Sequence, residues 1–213
     1  MEFRKGVEVL SSENKKLGTL LGVVMDPKTT EASHLVVHKG FLFTEDKVVP
    51  MHLVGTVLED RIVLKDVREN LDELPQYEET HYIPIQEAGE DIELMYWNPP
   101  TEMYWNRVNN LPVFPESPFV RKLDKNIPED TVGLMEGAKV VALDGEIVGE
   151  IESMFADPLN NRITHIVVSS GSLLWKESRV IPVHWLKNVA ETEVQLSVDS
   201  RLVRRLREYH PQP

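Results

Sequence analysis

The sequence predicts a mainly β protein built from two small antiparallel β-barrels. Two observations carry this prediction. The first is an internal repeat, in which the segment that begins at Gly6 aligns with the segment that begins at Gly137 at an offset of 131 residues. The second is that each copy consists of short apolar runs separated by turn residues. Five or six short strands in about 60 residues are typical of a small, strongly bent barrel.

The repeat covers most of both halves of the chain. One inserted residue near Trp175 raises the offset from 131 to 132. A fixed spacing over this length indicates a tandem duplication, in which each copy folds in the same way. The clearest matches are Gly18 with Gly149, Asp26-Pro27 with Asp157-Pro158, His34 with His165, Gly40 with Gly171, Val48–Pro50 with Val180–Pro182, and His52 with His184.

The second copy shows the strand pattern more clearly. Asp144-Gly145 is a dipeptide that favours a two-residue hairpin turn, because both residues tolerate a positive φ. In the first copy, Glu13-Asn14-Lys15 takes the place of this turn. Pro50 and Pro182 lack the N–H that a sheet ladder needs, so we expect each to end a strand at a sheet edge. The strands expected in the second copy are Ala138–Leu143, Ile147–Phe155, Thr164–Ser169, Arg179–Val183 and Val189–Val198.

A short amphipathic segment follows each set of strands. Asp66 precedes apolar residues at helical spacing, and Asp199-Ser200 does the same near the end of the chain. We expect each segment to form a short helix that packs its apolar residues over one barrel. Those apolar residues are Val67, Leu71 and Leu74 in the first copy, and Leu202, Val203 and Leu206 in the second.

The repeated pattern resembles a known family. It reads as Gly followed by Val, an Asp-Gly-like turn, Gly18 or Gly149, an Asp-Pro turn, a His-hydrophobic-Val-Val strand, Gly, and a closing Val-Val-Pro or Val-Ile-Pro. This order is similar to that of the PRC-barrel domain, which occurs in the cytoplasmic part of the photosynthetic reaction centre H subunit and in the C-terminal half of the ribosome-maturation factor RimM. The resemblance implies a barrel fold and a non-catalytic module that docks on other proteins.

The resemblance and the repeat together divide the chain into three parts. Residues 1–84 form the first PRC-barrel-like domain, and residues 133–213 form the second with a basic C-terminal helix. Residues 85–132 form a linker that has no counterpart elsewhere in the chain. The chain lacks the N-terminal transmembrane helix of the reaction-centre subunit, and it carries a PRC-like domain where RimM carries a different one.

The linker has an unusual composition. The window Pro75–Pro128 holds 8 of the 14 prolines, and Tyr77–Phe119 holds 8 aromatic residues. Met95-Tyr96-Trp97-Asn98 recurs as Met103-Tyr104-Trp105-Asn106. A flexible tether is rich in Gly and Ser, so we expect this linker to be ordered. Its Tyr-Trp pairs either pack between the two barrels or form an exposed anchor for a protein partner.

Composition excludes several classes of function. The chain has no cysteine, which excludes disulfides and thiolate metal sites. Its net charge of -12 argues against DNA as a partner. No segment is apolar enough to span a membrane, and no secretory leader is recognisable, so we expect a cytoplasmic protein.

Catalytic, cofactor and metal motifs are not found in the sequence, and we expect a non-enzymatic protein without a cofactor. Neither a Gly-x-Ser-x-Gly motif nor a phosphate-binding glycine loop occurs. A metal site would need His165 and His184 to converge with an acid such as Glu177, yet no histidines stand at metal-ligand spacing. We interpret the repeated histidines as structural.

The C-terminal segment carries a local reversal of charge. Arg201, Arg204, Arg205 and Arg207 fall within seven residues of an otherwise acidic chain. These arginines either neutralise nearby acids at a helix end or form a small docking patch for an acidic partner or RNA.

The sequence therefore predicts a cytoplasmic adaptor or scaffold with an unidentified protein partner, and self-association into a homo-oligomer stays open. Two alternatives remain: an accessory factor for ribosome or RNA assembly, and a small-ligand or enzymatic pocket between the barrels. The loops Phe41–Lys47 and Ser172–Ser178 carry apolar residues beside charges, which favours contact surfaces. The candidate protein-binding residues are Trp97, Trp105, Tyr96, Tyr104, Phe41, Phe43, Leu174, Trp175, Arg204 and Arg205.

Overall fold

The fold is described from a computed structural model of the chain. The structure describes residues 1–40, 45–65, 67, 71–84, 104–105, 112–113, 119–172 and 175–210. Within these ranges the chain forms strands, short turns and one five-residue α-helix, which confirms the prediction of a mainly β protein. The described residues fall into two compact units. One comprises residues 1–77 and 127–213, and the other comprises residues 78–126.

The first copy of the repeat forms seven strands. A 3₁₀ turn at Met51–Leu53 joins the fifth strand to the sixth, and it begins directly after Pro50. The strands are β1 (Glu2–Arg4), β2 (Glu8–Leu10), β3 (Lys16–Met25), β4 (Ala32–Lys39), β5 (Glu45–Pro50), β6 (Val54–Val57) and β7 (Arg61–Leu64).

The unit of residues 78–126 contains four described strands in two antiparallel pairs. The longer pair runs from Glu78 opposite Lys125 to Pro84 opposite Phe119. The shorter pair joins Tyr104–Trp105 to Pro112–Val113. These strands are β8 (Glu78–Pro84), β9 (Tyr104–Trp105), β10 (Pro112–Val113) and β11 (Phe119–Lys125).

The second copy repeats the pattern of the first. A 3₁₀ turn at Val183–Trp185 follows Pro182, as the turn after Pro50 does in the first copy. The elements are β12 (Val132–Met135), β13 (Lys139–Val141), β14 (Ile147–Ala156), β15 (Ile163–Ser172), β16 (Trp175–Pro182), β17 (Leu186–Val189), β18 (Glu193–Leu196) and α1 (Ser200–Arg204).

Each copy forms one sheet, and the two sheets have the same strand order. The order is β5-β4-β3-β2-β7-β6 in the first sheet and β16-β15-β14-β13-β18-β17 in the second. One pair in each sheet, β2 with β7 and β13 with β18, is parallel. This differs from the predicted antiparallel barrels, because the chain crosses from β5 or β16 to the far edge before it returns along β7 or β18.

Several local predictions from the sequence hold in the structure. β5 and β16 end at Pro50 and Pro182, and both strands lie at the end of the sheet order. The turns before β3 and β14 contain residues with a positive φ, namely Asn14 at 61° and Gly145 at 81°. A turn therefore lies where it was predicted in each copy, but the predicted two-residue hairpin is wrong. Only Gly145 of the Asp144-Gly145 pair has a positive φ, and the Ala142 N–H donates to the Glu146 carbonyl over 2.8 Å across a three-residue loop.

The aligned Gly18 and Gly149 have a steric role. Both lie where the pairing of β2 with β3, or of β13 with β14, shifts register. A Cβ atom at either position would collide with a backbone carbonyl oxygen, that of His38 or of Ser169. The repeat therefore has glycine here because the neighbouring strand approaches too closely for a side chain.

The two copies exchange strands. β1 comes from the first copy but pairs with β14 of the second, with Phe3 opposite Met154. β12 comes from the second copy but pairs with β3 of the first, with Leu134 opposite Val23. The second pairing is the first one shifted by the repeat offset, so the exchange is reciprocal and the copies are related by a pseudo-two-fold axis.

A bridge between aligned residues marks this axis. Glu31 and Arg162 occupy the same position in the two copies and form an antiparallel bridge with each other. On either side, the Ala32 N–H donates to the Asn161 carbonyl over 3.0 Å, and the Ile163 N–H donates to the Thr30 carbonyl over 2.8 Å. Such self-pairing is the pattern of an isologous two-fold interface.

One hydrophobic core runs through both copies. It contains fully buried residues of the exchanged strands, Phe3 and Leu134, together with residues of both sheets such as Leu35 and Ile166. Burial of apolar surface is the main favourable contribution to folding, so a shared core makes the two copies one stability unit. We call the contact between them the seam.

Candidate interaction surfaces

Half of the candidate binding residues fall outside the described ranges. No structural statement is made about them, and their role in binding stays a prediction. They are Tyr96 and Trp97 in the linker, and Phe41, Phe43 and Leu174 in the two apolar loops.

Three other candidates are described through their backbone alone. Tyr104 and Trp105 form β9 and pair with β10. Trp175 is the first residue of β16 and pairs with Ser172 at the end of β15. The segment 172–178, expected to be a loop, is therefore mostly the end of a β-hairpin, because the register of β15 and β16 continues up to that pair.

The last two candidates lie at α1. Arg204 is the final residue of the helix, and Arg205 caps its C-terminus. Both side chains are exposed. Arg204 forms an ion pair with Glu146 on the turn between β13 and β14.

Hydrogen bonds fix α1 to the β13–β14 turn. The Asp144 carboxylate accepts a hydrogen bond from the Ser200 hydroxyl over 2.8 Å, and it also accepts from the Ser200 N–H. These bonds hold the pKa of Asp144 below its ordinary value. The Leu143 N–H donates to the Val198 carbonyl over 2.9 Å. The helix and the turn therefore form one end of the second copy.

This end exposes large apolar side chains. Leu143 is 56% exposed, Ile147 is 59% exposed and Leu202 is 43% exposed. The expectation that Leu202 packs onto the barrel is wrong, since Val203 makes that contact and is only 2% exposed. We call the surface formed by Leu143, Ile147, Leu202, Arg201 and Arg205 the α1 patch. Sequence reasoning missed its apolar part because isolated apolar residues in strands and short helices are usually buried.

The corresponding end of the first copy has different chemistry. At the repeat offset, Ser12 and Lys16 stand where the second copy has Leu143 and Ile147. Counting from the buried Leu71 and Val203, the sequence pairs Asn70 with Leu202, Glu69 with Arg201, and Glu73 with Arg205. The fold therefore does not require an apolar and basic surface at this position.

The seam contains polar groups as well as the shared core. Glu2 on β1 accepts hydrogen bonds from Ser153 of the second copy over 2.7 Å and from Arg4 over 3.1 Å. Burial opposes ionisation of Glu152, but hydrogen bonds from Lys176 and Ser178 outweigh it and lower its pKa. These bonds pair the charges at the seam.

Two tyrosines stand at aligned positions after the two sheets, and Tyr77 connects the copies. The Tyr77 hydroxyl donates to Glu191 of the second copy over 3.0 Å. Tyr209 stands at the aligned position in the second copy and packs edge-on against Phe155, with ring centroids 5.9 Å apart. The backbone N–H groups of Tyr77 and Tyr209 each donate over 2.7 Å, to the carbonyls of Asp46 and Ser178. The segment after each sheet is therefore tied back to the core.

The repeated histidines occupy structural positions. His34 lies opposite Pro50 and His165 lies opposite Pro182 in the sheet registers. Burial lowers the pKa of His34, with a smaller contribution from His52. Glu177, the acid that a metal site would need, is paired with Arg179 at 2.7 Å. Among the residues that the structure describes, no group of three His, Asp or Glu side chains could hold a metal ion.

No helix among the described residues is long and apolar enough to cross a membrane.

Comparison with known proteins agrees with the repeat. The family model described as PRC-barrel domain matches the chain twice, over residues 5–71 and residues 131–201. A search of the curated proteins finds no match.

Proposed function

The chain belongs to the PRC-barrel family, with two copies of the domain, and we propose that it is a non-catalytic adaptor or scaffold that binds other proteins through its barrels. Domains of this family are often protein-interaction modules. We also propose that the adaptor works in the cytoplasm.

The α1 patch is the single observation that best supports this proposal. It exposes three large apolar side chains and two arginines on α1 and on the β13–β14 segment that is hydrogen-bonded to α1, and the aligned positions of the first-copy sequence carry polar or acidic residues. Exposed apolar residues that the fold does not require are typical of interaction sites. The shared core adds support, because a rigid pair of barrels loses little conformational entropy when a partner binds.

The experiment that tests the proposal is affinity capture from native lysate, with partners identified by mass spectrometry after chemical cross-linking. We expect a stoichiometric protein that cross-links to residues of one or both barrels. If the chain recovers only itself at low and at moderate salt, the adaptor proposal fails. Cross-links confined to residues 85–118 would instead place the contact in the linker, with Trp97 and Trp105 as the first positions to replace.

A second candidate function rests on the exposed arginines near the C-terminus. An accessory factor for ribosome or RNA assembly would use Arg204 and Arg205 to contact phosphates. This candidate predicts sedimentation with ribosomal particles that is lost in the Arg204→Glu/Arg205→Glu variant. If wild type sediments in the same way with and without ribosomal particles, this candidate function is refuted.

A further inference from the structure

We propose that the α1 patch binds an acidic segment of a protein partner, and that apolar side chains of that segment pack on Leu143, Ile147 and Leu202. The inference rests on the proposed adaptor function and names the chemistry of one binding surface. It goes beyond family membership, because the sequence of the first copy has polar or acidic residues at the aligned positions.

The exposed apolar residues of the patch can be compared with the aligned residues of the first copy. The two copies share strand order and register, so each position in one copy has a control in the other. Ser12 and Lys16, the counterparts of Leu143 and Ile147, are polar and exposed. An exposed apolar side chain gains nothing from folding alone, and it contributes free energy once a partner covers it.

The basic part of the patch has charge available for a partner. Arg204 is paired with Glu146, but Arg201 and Arg205 are exposed and form no ion pair within the described part of the chain. In the first copy the counterparts of these two residues are Glu69 and Glu73. The second copy thus presents two arginines without an ion pair among the described residues, at positions where the first-copy sequence has acids, and this charge favours an acidic partner.

A protein segment fits this surface better than a nucleic acid does. Three apolar side chains would be left without partners against a phosphate backbone. The net charge of -12 also repels a polyanion over the rest of the molecule. A protein segment that mixes acids with apolar residues satisfies both parts of the patch at once.

The patch is held in place before any partner arrives. Asp144 is hydrogen-bonded to Ser200, and the buried Val203 anchors α1 on the core. Because the helix and the β13–β14 turn are already fixed to each other, little conformational entropy is lost when a partner binds them.

The test is a selection from a displayed library of random 16-residue peptides on the folded full-length chain. Two variants replace the patch with first-copy residues: Leu143→Ser/Ile147→Lys/Leu202→Asn removes the apolar part, and Arg201→Glu/Arg205→Glu removes the charge. Because the replaced side chains are exposed and the first-copy sequence has these residue types at the aligned positions, both variants should keep the wild-type circular dichroism and elution volume. The matched control is Leu159→Ser/Lys187→Glu, which changes an exposed leucine and an exposed cation elsewhere in the second copy.

We expect wild type to enrich peptides that combine Glu or Asp with Leu, Phe or Ile. Each patch variant should bind the enriched peptides at least about tenfold more weakly, while the control binds them as wild type does. The proposal is overturned if no acidic and apolar peptides are enriched, or if they bind both patch variants as well as wild type.

A fluorescent poly-uridine oligonucleotide, titrated at the same salt concentration, decides between protein and RNA. Tighter binding of this probe than of any enriched peptide, lost in the arginine variant but kept in the apolar variant, would overturn the proposal in favour of RNA. Cross-linked capture of a partner from lysate separates this inference from the adaptor function. A partner retained by both patch variants leaves the adaptor function standing and refutes the α1 patch as its site.

Discussion

Glu136 is a buried glutamate whose pKa lies far above that of an exposed glutamate. It lies at the seam, where its N–H donates to the Leu21 carbonyl of the first copy over 3.3 Å. The side chain is 4% exposed, and its carboxyl oxygens have no hydrogen-bond partner within the described part of the chain. Burial raises the pKa of Glu136 to about 9, since nearby Lys5 and Arg4 compensate only in part.

This pKa makes the stability of the fold depend on pH. The ordinary pKa of a glutamate is 4.5, and the pKa of Glu136 in the folded protein is about 9. Between these two pH values Glu136 is deprotonated in the unfolded chain and protonated in the folded protein. The free energy of unfolding should therefore fall as pH rises through this window, by up to about 1.4 kcal/mol per pH unit from this residue. Urea unfolding of wild type and Glu136→Gln between pH 5 and pH 9 measures the effect. We expect Glu136→Gln to be the more stable protein at pH 8 and to show a flatter profile.

Glu150→Gln is the matched control, because Glu150 is an exposed glutamate on β14 of the same copy. Its pH profile should follow that of wild type. Parallel profiles for wild type and Glu136→Gln would show that Glu136 is ionised in the folded protein, contrary to the argument from burial.

At the scale of elements, the exchanged strands determine how the copies are joined. β1 has three residues and β12 has four, too few for an isolated strand to persist. Each is stabilised by a strand of the other copy and by one fully buried side chain, Phe3 or Leu134. The seam therefore depends on Phe3 and Leu134, which lie on strands that pair with the sheet of the other copy.

Truncation of Phe3 tests this dependence. Phe3→Ala should lower the free energy of unfolding by about 3–5 kcal/mol, since it removes a buried aromatic ring and leaves a cavity in the shared core. Denaturant unfolding measures the loss. Leu159→Ala removes an equally apolar side chain that is 93% exposed, and it should change stability by less than about 0.5 kcal/mol. Similar values for the two variants would refute a structural role for β1.

A second prediction at this scale concerns α1. Asp144→Ala removes the acceptor of the Ser200 hydrogen bonds, so the backbone amides of α1 should exchange with solvent faster than in wild type. Asp144→Asn keeps an acceptor oxygen and should restore most of the protection. Because the pKa of Asp144 is lowered in the folded state, the bond persists at neutral pH and weakens as pH falls through that lowered value. Unchanged exchange in Asp144→Ala would show that Val203 alone holds the helix.

At the scale of the molecule, the shared core predicts that the two copies unfold together. Amide signals of β4 in the first copy and of β15 in the second should disappear with the same midpoint in a denaturant titration followed by NMR. In Phe3→Ala both midpoints should shift by the same amount. Separate midpoints in wild type would mean that each copy is a stability unit of its own.

The sequence predicted the mainly β fold and the duplication, because both depend on local or repeated signals. Pro50 and Pro182 end strands through the missing N–H, and Asp144-Gly145 makes its turn through backbone freedom. The strand exchange could not be predicted, since Glu2–Arg4 has no periodic pattern that could show which sheet it joins. Which apolar side chains stay exposed is also a tertiary property: Leu202 and Val203 are adjacent and similar in kind, yet the core covers only Val203.

The exchange of strands has a consequence for synthesis of the chain. β3 leaves the ribosome long before β12, which covers residues Gly22–Met25 of its edge, has been translated at about 5–20 residues per second. For that interval the nascent first copy presents an open strand edge whose eventual partner belongs to the second copy of the same domain. We expect two nascent chains on one messenger to be able to accept each other's β12, so that crowded translation favours intertwined dimers and slow expression favours pairing of the two copies within one chain.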